Sequence, residues 1–187
     1  MDATPADVLA FWFGAPPWRE RAEWFRKSDA FDAAVRSRFR DAIDAAQAGA
    51  LPPAWHAEPL AEVLLLDQLA RNAHRGTARA FAGDARALAL AREIVDSGAD
   101  RALHPLQRWF AYMPLEHAED LAAQDHAVRL FEALAAAGPG FDEALDYARR
   151  HRDVIRRFGR FPHRNAVLGR ASTPDEIAFL RQPGSSF

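Results

Sequence analysis

Cysteine is missing from all 187 residues, which excludes disulfides, thiol nucleophiles and cysteine-bound metal. Lysine occurs once, at Lys27, so arginine supplies every other one of the 24 basic residues, while alanine occurs 41 times. Such an Arg/Ala bias can be mutational, and it weakens any argument from a single arginine. No apolar run reaches the roughly 18 residues needed to cross a bilayer, so no membrane partner is expected. No stretch alternates apolar and polar side chains over a strand's length, so no sheet is expected. Excess charge is lacking too. The 26 acidic and 24 basic residues leave a formal −2, with pI near 6.4, whereas a general polyanion binder is strongly basic. The N-terminus, MDATPADVLAFWFG, is acidic where a secretory leader is basic, so a cytoplasmic location is expected.

With 49% apolar and 27% charged residues the chain reads as one folded domain over 1–187. Its signals are helical throughout. Thr4-Pro5 opens a helix that runs to Gly14. Asp29, with Asp32 three residues on, starts a second, which Gly49 and Pro52-Pro53 stop. Leu60 to Ala70 is apolar nearly all round the wheel, the mark of a central helix. After Asn72–Gly76, Thr77 caps a stretch that ends at Ser97-Gly98, with a break at Gly83. Pro105 begins a short helix that Pro114 interrupts. A longer one runs from about Leu115 to Ala137, another from Phe141 to Phe158, and Thr173-Pro174-Asp175-Glu176 is a capping box for the last. The expectation is an all-α single domain of seven to nine helices in pairs, with nothing recurring at a 34-residue period.

Polar residues fall where the helical pattern wants apolar ones. On the Phe141–Phe158 wheel, Tyr147, His151 and Arg152 lie inside the apolar arc, while Arg149, Arg150, Asp153 and Arg157 lie outside it. On the preceding helix the stripe of Leu121, Val128 and Phe131 continues back through Gln124 to His117. Asp67 and Arg71, four apart on the central helix, read as a buried ion pair, because a lone buried charge is expensive. Residues 149–170 hold eight arginines and one aspartate, a formal +7 that leaves −9 elsewhere. Each feature has a structural reading: a hydrogen-bonded core histidine, an ion pair, a solvated basic face. One shared polar pocket explains them together.

The stretches VLAFWFG, LLLDQLARNAHRGTARAF, RWFAYMPLEHAEDL, HRDVIRRFGRFPHRNAVLGR and STPDEIAFLRQPGSSF resemble a widespread, mainly bacterial family, domain of unknown function 924. The resemblance spans nearly the whole chain and implies a compact, tetratricopeptide-like helical fold. Its signature segments coincide with Asp67, Gln68, Arg71, Asn72, Arg75, Gly76 and Thr77, then with Tyr112, Pro114, Glu116 and His117. They continue with His151, Arg152 and Asp153 and end with Arg160, His163, Arg164 and Asn165. The family's usual DQFPRN has Leu69-Ala70 in place of Phe-Pro here, which loosens that helix end. The resemblance supplies no reaction.

An arginine-lined recess suits an anion, because guanidinium groups give paired, charge-assisted bonds to carboxylate or phosphate. Arg71, Arg75, Arg152, Arg160 and Arg164 are candidate ligand-binding residues, with His163 and the hydroxyl of Tyr112. His117 or His151 would supply acid–base chemistry near neutral pH. An acyl or phosphoryl hydrolase or an isomerase is conceivable, but no Gly-x-Ser-x-Gly elbow or P-loop identifies a nucleophile, and enzymatic status stays open. A metal set of His117, His151 and His163 with Glu116 or Asp67 is disfavoured, since no two histidines have H-E-x-x-H spacing and arginines surround them. No metal or cofactor is therefore expected. His151-Arg152-Asp153 imitates a kinase catalytic loop without its companion motifs. The alternative is a tetratricopeptide-like scaffold for a protein or peptide partner. Nucleic acid is disfavoured by the pI.

Overall fold

The computed structural model describes residues 3–185, which contain helices and no strands. They fall into two compact units, one of residues up to 75 and 79–114, the other of residues 76–78 and from 115 onward.

In the first unit, α1 (Pro5–Phe13) opens on a capping box: the Thr4 hydroxyl accepts the Asp7 N–H and the Asp7 carboxylate accepts that of Thr4. α2 (Asp29–Gln47) is capped by Ser28, whose hydroxyl accepts the Phe31 N–H, and not by Asp29 as the spacing suggested. Asp32 is released from a capping role and buried instead against Asn72 and Arg75. α3 covers residues 59–73 and joins helical Pro59–Val63 and Ala70–Ala73 through a wider π-helical stretch, Leu64–Leu69, in which the Ala70 N–H reaches back to Leu65 C=O. Every residue from 60 to 70 is buried, as the all-round apolar wheel requires. After the turn Ala78–Phe81 comes α4 (Asp84–Asp96), with the break at Gly83. A Cβ at Gly83 would lie 2.9 Å from both the carbonyl oxygen and Cδ2 of Leu66, so only glycine lets this turn approach the π stretch.

α5 (Pro105–Glu116) runs through Pro114, which does not interrupt it. The proline sits in the last turn, so its missing N–H removes a single helical bond and the helix continues to Glu116. Phe110 on α5 centres an aromatic cluster, with ring centroids 4.8 Å from Trp24, 5.2 Å from Trp12 and 5.7 Å from Phe13.

In the second unit, α6 (Leu121–Ala137) starts several residues later than the spacing suggested. Asp120 is its N-cap, accepting the Ala123 N–H at 2.7 Å, and residues 117–120 form a turn. His117 therefore lies on that turn and not on the α6 stripe. α7 (Asp142–Phe158) returns antiparallel to α6, as the ion pairs Arg149–Glu132 (2.9 Å) and Arg156–Asp125 (3.8 Å) show. It ends at Gly159, whose φ of 69° is left-handed. Tyr147, placed inward by the wheel, is 41% exposed, with the Arg150 guanidinium over its ring. α8 (Pro174–Leu180) opens on the capping box of Thr173 and Glu176. Val154, Ile155 and Phe161 form a core cluster, with Phe158 and Phe179 packed against it.

Candidate functional site

The candidate residues of the first unit each meet a carboxylate of their own. Arg71 reaches Asp67 at 3.2 Å, gives a forked pair of bonds to Asp84 at 3.0 and 3.2 Å, and donates to the Asp67 carbonyl. Burial opposes its charge, but the two carboxylates outweigh that and raise its pKa above the ordinary arginine value. Asp67, fully buried on the π stretch, also accepts the Gln68 amide at 2.6 Å. Arg75 forks onto Asp32 at 2.8 and 2.9 Å, and these bonds raise its pKa. The Tyr112 hydroxyl donates to buried Asp100 at 2.6 Å; burial first, and then this bond, push the phenol's pKa up. Asp84 and Asp100 had no place in the sequence reading and Asp32 only a capping role, because a partner 12 to 43 positions away leaves no local spacing signal.

The second unit gathers the three imidazoles. Phe161 is fully buried; the rings of His151 and His163 lie 5.5 and 5.6 Å from it, and the Arg164 guanidinium sits 4.5 Å over its face. His117 is 5.9 Å from His151. His151 Nδ1 is 2.9 Å from Glu116 Oε1 and 2.9 Å from the Tyr147 carbonyl oxygen. Both neighbours are acceptors, so in the neutral ring the proton belongs on Nδ1 and the basic lone pair on Nε2. His151 and Glu116 are each almost wholly buried.

A frame of hydrogen bonds holds these groups. Gln124, 0% exposed, donates its amide to the carbonyls of Glu116 and Ala118 and so fixes the end of α5. The Phe161 N–H donates to Glu119 at 2.8 Å, and Arg170 forks onto Glu119 at 2.6 and 2.9 Å while donating to the Phe161 carbonyl. Burial would raise the Glu119 pKa, but these bonds lower it. Arg160 forks onto Glu176 at 2.7 and 2.9 Å, and its Nη2 also donates to the Ala171 carbonyl. That fork, opposed by burial and helped by the Thr173 N–H, holds Glu176 down to about 2.

His163 is pushed down to about 3, by burial first and then by the positive Arg164 and the other two imidazoles. Arg152 is half-buried, 3.6 Å from Asp153, and its Nε is buried without a hydrogen bond. Gln124 Oε1 is likewise buried and unbonded. Among the described residues no group of three or more histidines and carboxylates is arranged to hold a metal ion. Glu119 and Arg170, the clamp on Phe161, escaped the sequence reading, since they are 51 residues apart.

Over residues 8–184 the chain matches a family described as bacterial protein of unknown function, DUF924, and it belongs to that family. It is similar to a solved structure, a protein of unknown function, ATU0120, from Agrobacterium tumefaciens. The two are 43% identical with a TM-score of 0.82, over 95% of this chain and 96% of that one. No curated protein matches. Among the described residues no helix is long and apolar enough to cross a membrane.

Proposed function

We propose that the chain binds a small carboxylate or phosphate at the cluster of His117, His151, His163 and Arg164, with His151 as the proton-accepting group. The observation that carries this reading is the buried Glu116–His151 contact of 2.9 Å. A carboxylate on Nδ1 sets the tautomer, makes Nε2 the base and stabilises the charged ring once it takes a proton. Arg164 supplies fixed positive charge beside the rings. The unbonded Arg152 Nε and Gln124 Oε1 add a donor and an acceptor of the kind that a ligand or water satisfies. The forks of Arg71, Arg75 and Arg160 onto carboxylates suit holding the chain in place more than holding an anion. Whether a bond is broken at the site depends on the ligand.

Thermal-shift titration with acetate and inorganic phosphate tests the reading. The wild type is expected to gain several degrees, and His151→Asn and Arg152→Gln to stay folded and gain none. Equal gains in all three proteins would contradict it, as would no gain in the wild type.

A further inference from the structure

α2 carries three arginines that the cluster around Phe161 does not use. Arg36, Arg38 and Arg40 line one open recess of about 490 Å³, together with Ser37, Asp41 and Ala3. Its volume falls in the range of small-molecule sites, roughly 300–1,000 Å³. Among the described residues none of the three arginines makes a hydrogen bond or ion pair, whereas Arg71, Arg75, Arg79, Arg86, Arg160 and Arg170 are all matched to carboxylates. The acids nearest in charge are already engaged. Asp32, which feels Arg36, is taken by Arg75 and Asn72; Asp7, which feels Arg38, is taken by Thr4. The Arg38 guanidinium is placed as well: its central carbon lies 4.9 Å from the centroid of the Phe11 ring and 5.3 Å from that of Phe39. A guanidinium held against aromatic rings, with no hydrogen bond of its own, keeps its N–H groups for an acceptor.

We infer that this recess is a second binding site, for a small multivalent oxyanion whose charges Arg36, Arg38 and Arg40 share. Three arginines against Asp41, and against Asp7, which keeps its charge when neutral Thr4 donates to it, leave a local positive balance that a multivalent oxyanion meets. Ser37 and Asp41 offer an acceptor each to a hydroxyl on the same ligand. The oxyanion can be phosphate- or carboxylate-based, and the guanidinium chemistry is common to both.

Isothermal titration of the full chain with inorganic pyrophosphate and, separately, with citrate tests the inference. Arg40 is exposed and Arg36 half-buried, and neither holds a hydrogen bond or ion pair, so the double variant Arg36→Gln/Arg40→Gln should keep its fold. The wild type is expected to bind at least one of the two probes, and the double variant to bind it at least tenfold more weakly. Arg129→Gln, which removes another exposed arginine, is expected to leave affinity unchanged. The probe that binds more tightly tells phosphate from carboxylate. The inference is overturned if the wild type binds neither probe, if the double variant stays within twofold of the wild type, or if Arg129→Gln loses as much. A short DNA oligonucleotide bound more tightly than either probe through the same arginines would also overturn it.

Discussion

At His163 burial and the guanidinium of Arg164 act in the same direction, and the ring is held neutral down to about pH 3. In the unfolded chain it titrates near 6.5. Between those values the unfolded state binds a proton that the folded state refuses, so stability falls with pH below about 6.5 and this contribution levels off near 3. Glu176 has the opposite origin and the same acid sign: its contribution is complete above 4.5 and lost as pH falls towards 2. Calorimetric melting of the wild type and His163→Gln from pH 8 to 3 separates them. The wild type should lose melting temperature more steeply below pH 6.5, and an unchanged slope in the variant would contradict the account. The sequence displayed the polar residues of this cluster but not their partners. His151 was legible because 3.6-residue periodicity puts it on the apolar arc of α7; the same wheel misplaced Tyr147, whose ring lies out against Arg150.

Among the elements, α3 shows both what pattern reveals and what it hides. Leucines and Val63 pointing nearly all round the wheel announce a central helix, but a segment buried on every side gives little phase, so the π stretch at Leu64–Leu69 is not legible in it. The neighbouring Gly83 does leave one. Its φ of −91° suits any residue, so the glycine answers to space and not to backbone strain. Gly83→Ala is expected to destabilise by about 1–3 kcal/mol, the usual cost of overpacking, read from urea unfolding. A loss under half a kcal/mol would show that the turn can move away from Leu66. Helix starts were legible wherever the cap was local, as at Thr4 and Thr173. They were misread at Ser28, where acidic Asp29 suggested a later cap, and at Asp120, where a stripe continued back through Gln124 to His117 suggested an earlier start.

For the whole molecule, the +7 of residues 149–170 looks like a polyanion-binding stretch in the sequence, and the folded chain answers it. Arg149, Arg150, Arg156, Arg160 and Arg170 meet Glu132, Asp146, Asp125, Glu176 and Glu119, while Arg157 and Arg164 lie over aromatic rings. Few of these charges are left to release counterions from a nucleic acid. Anisotropy with a labelled duplex should show no binding at 150 mM salt, and substituting Arg149 and Arg156 should not change that; tight, salt-sensitive binding would refute it. Helical class and element order were readable because they rest on local periodicity and caps. The site was readable only in part, because its geometry depends on carboxylates far away in sequence.

Nitrogen-resolved NMR of the seven histidine rings, with and without acetate or inorganic phosphate, tests the central claim most directly. Neutral His151 should carry its proton on Nδ1, and the anion should shift the His117 and His151 signals while leaving His56 and His104 in place. A proton on Nε2, or seven rings that respond alike or not at all, would contradict it.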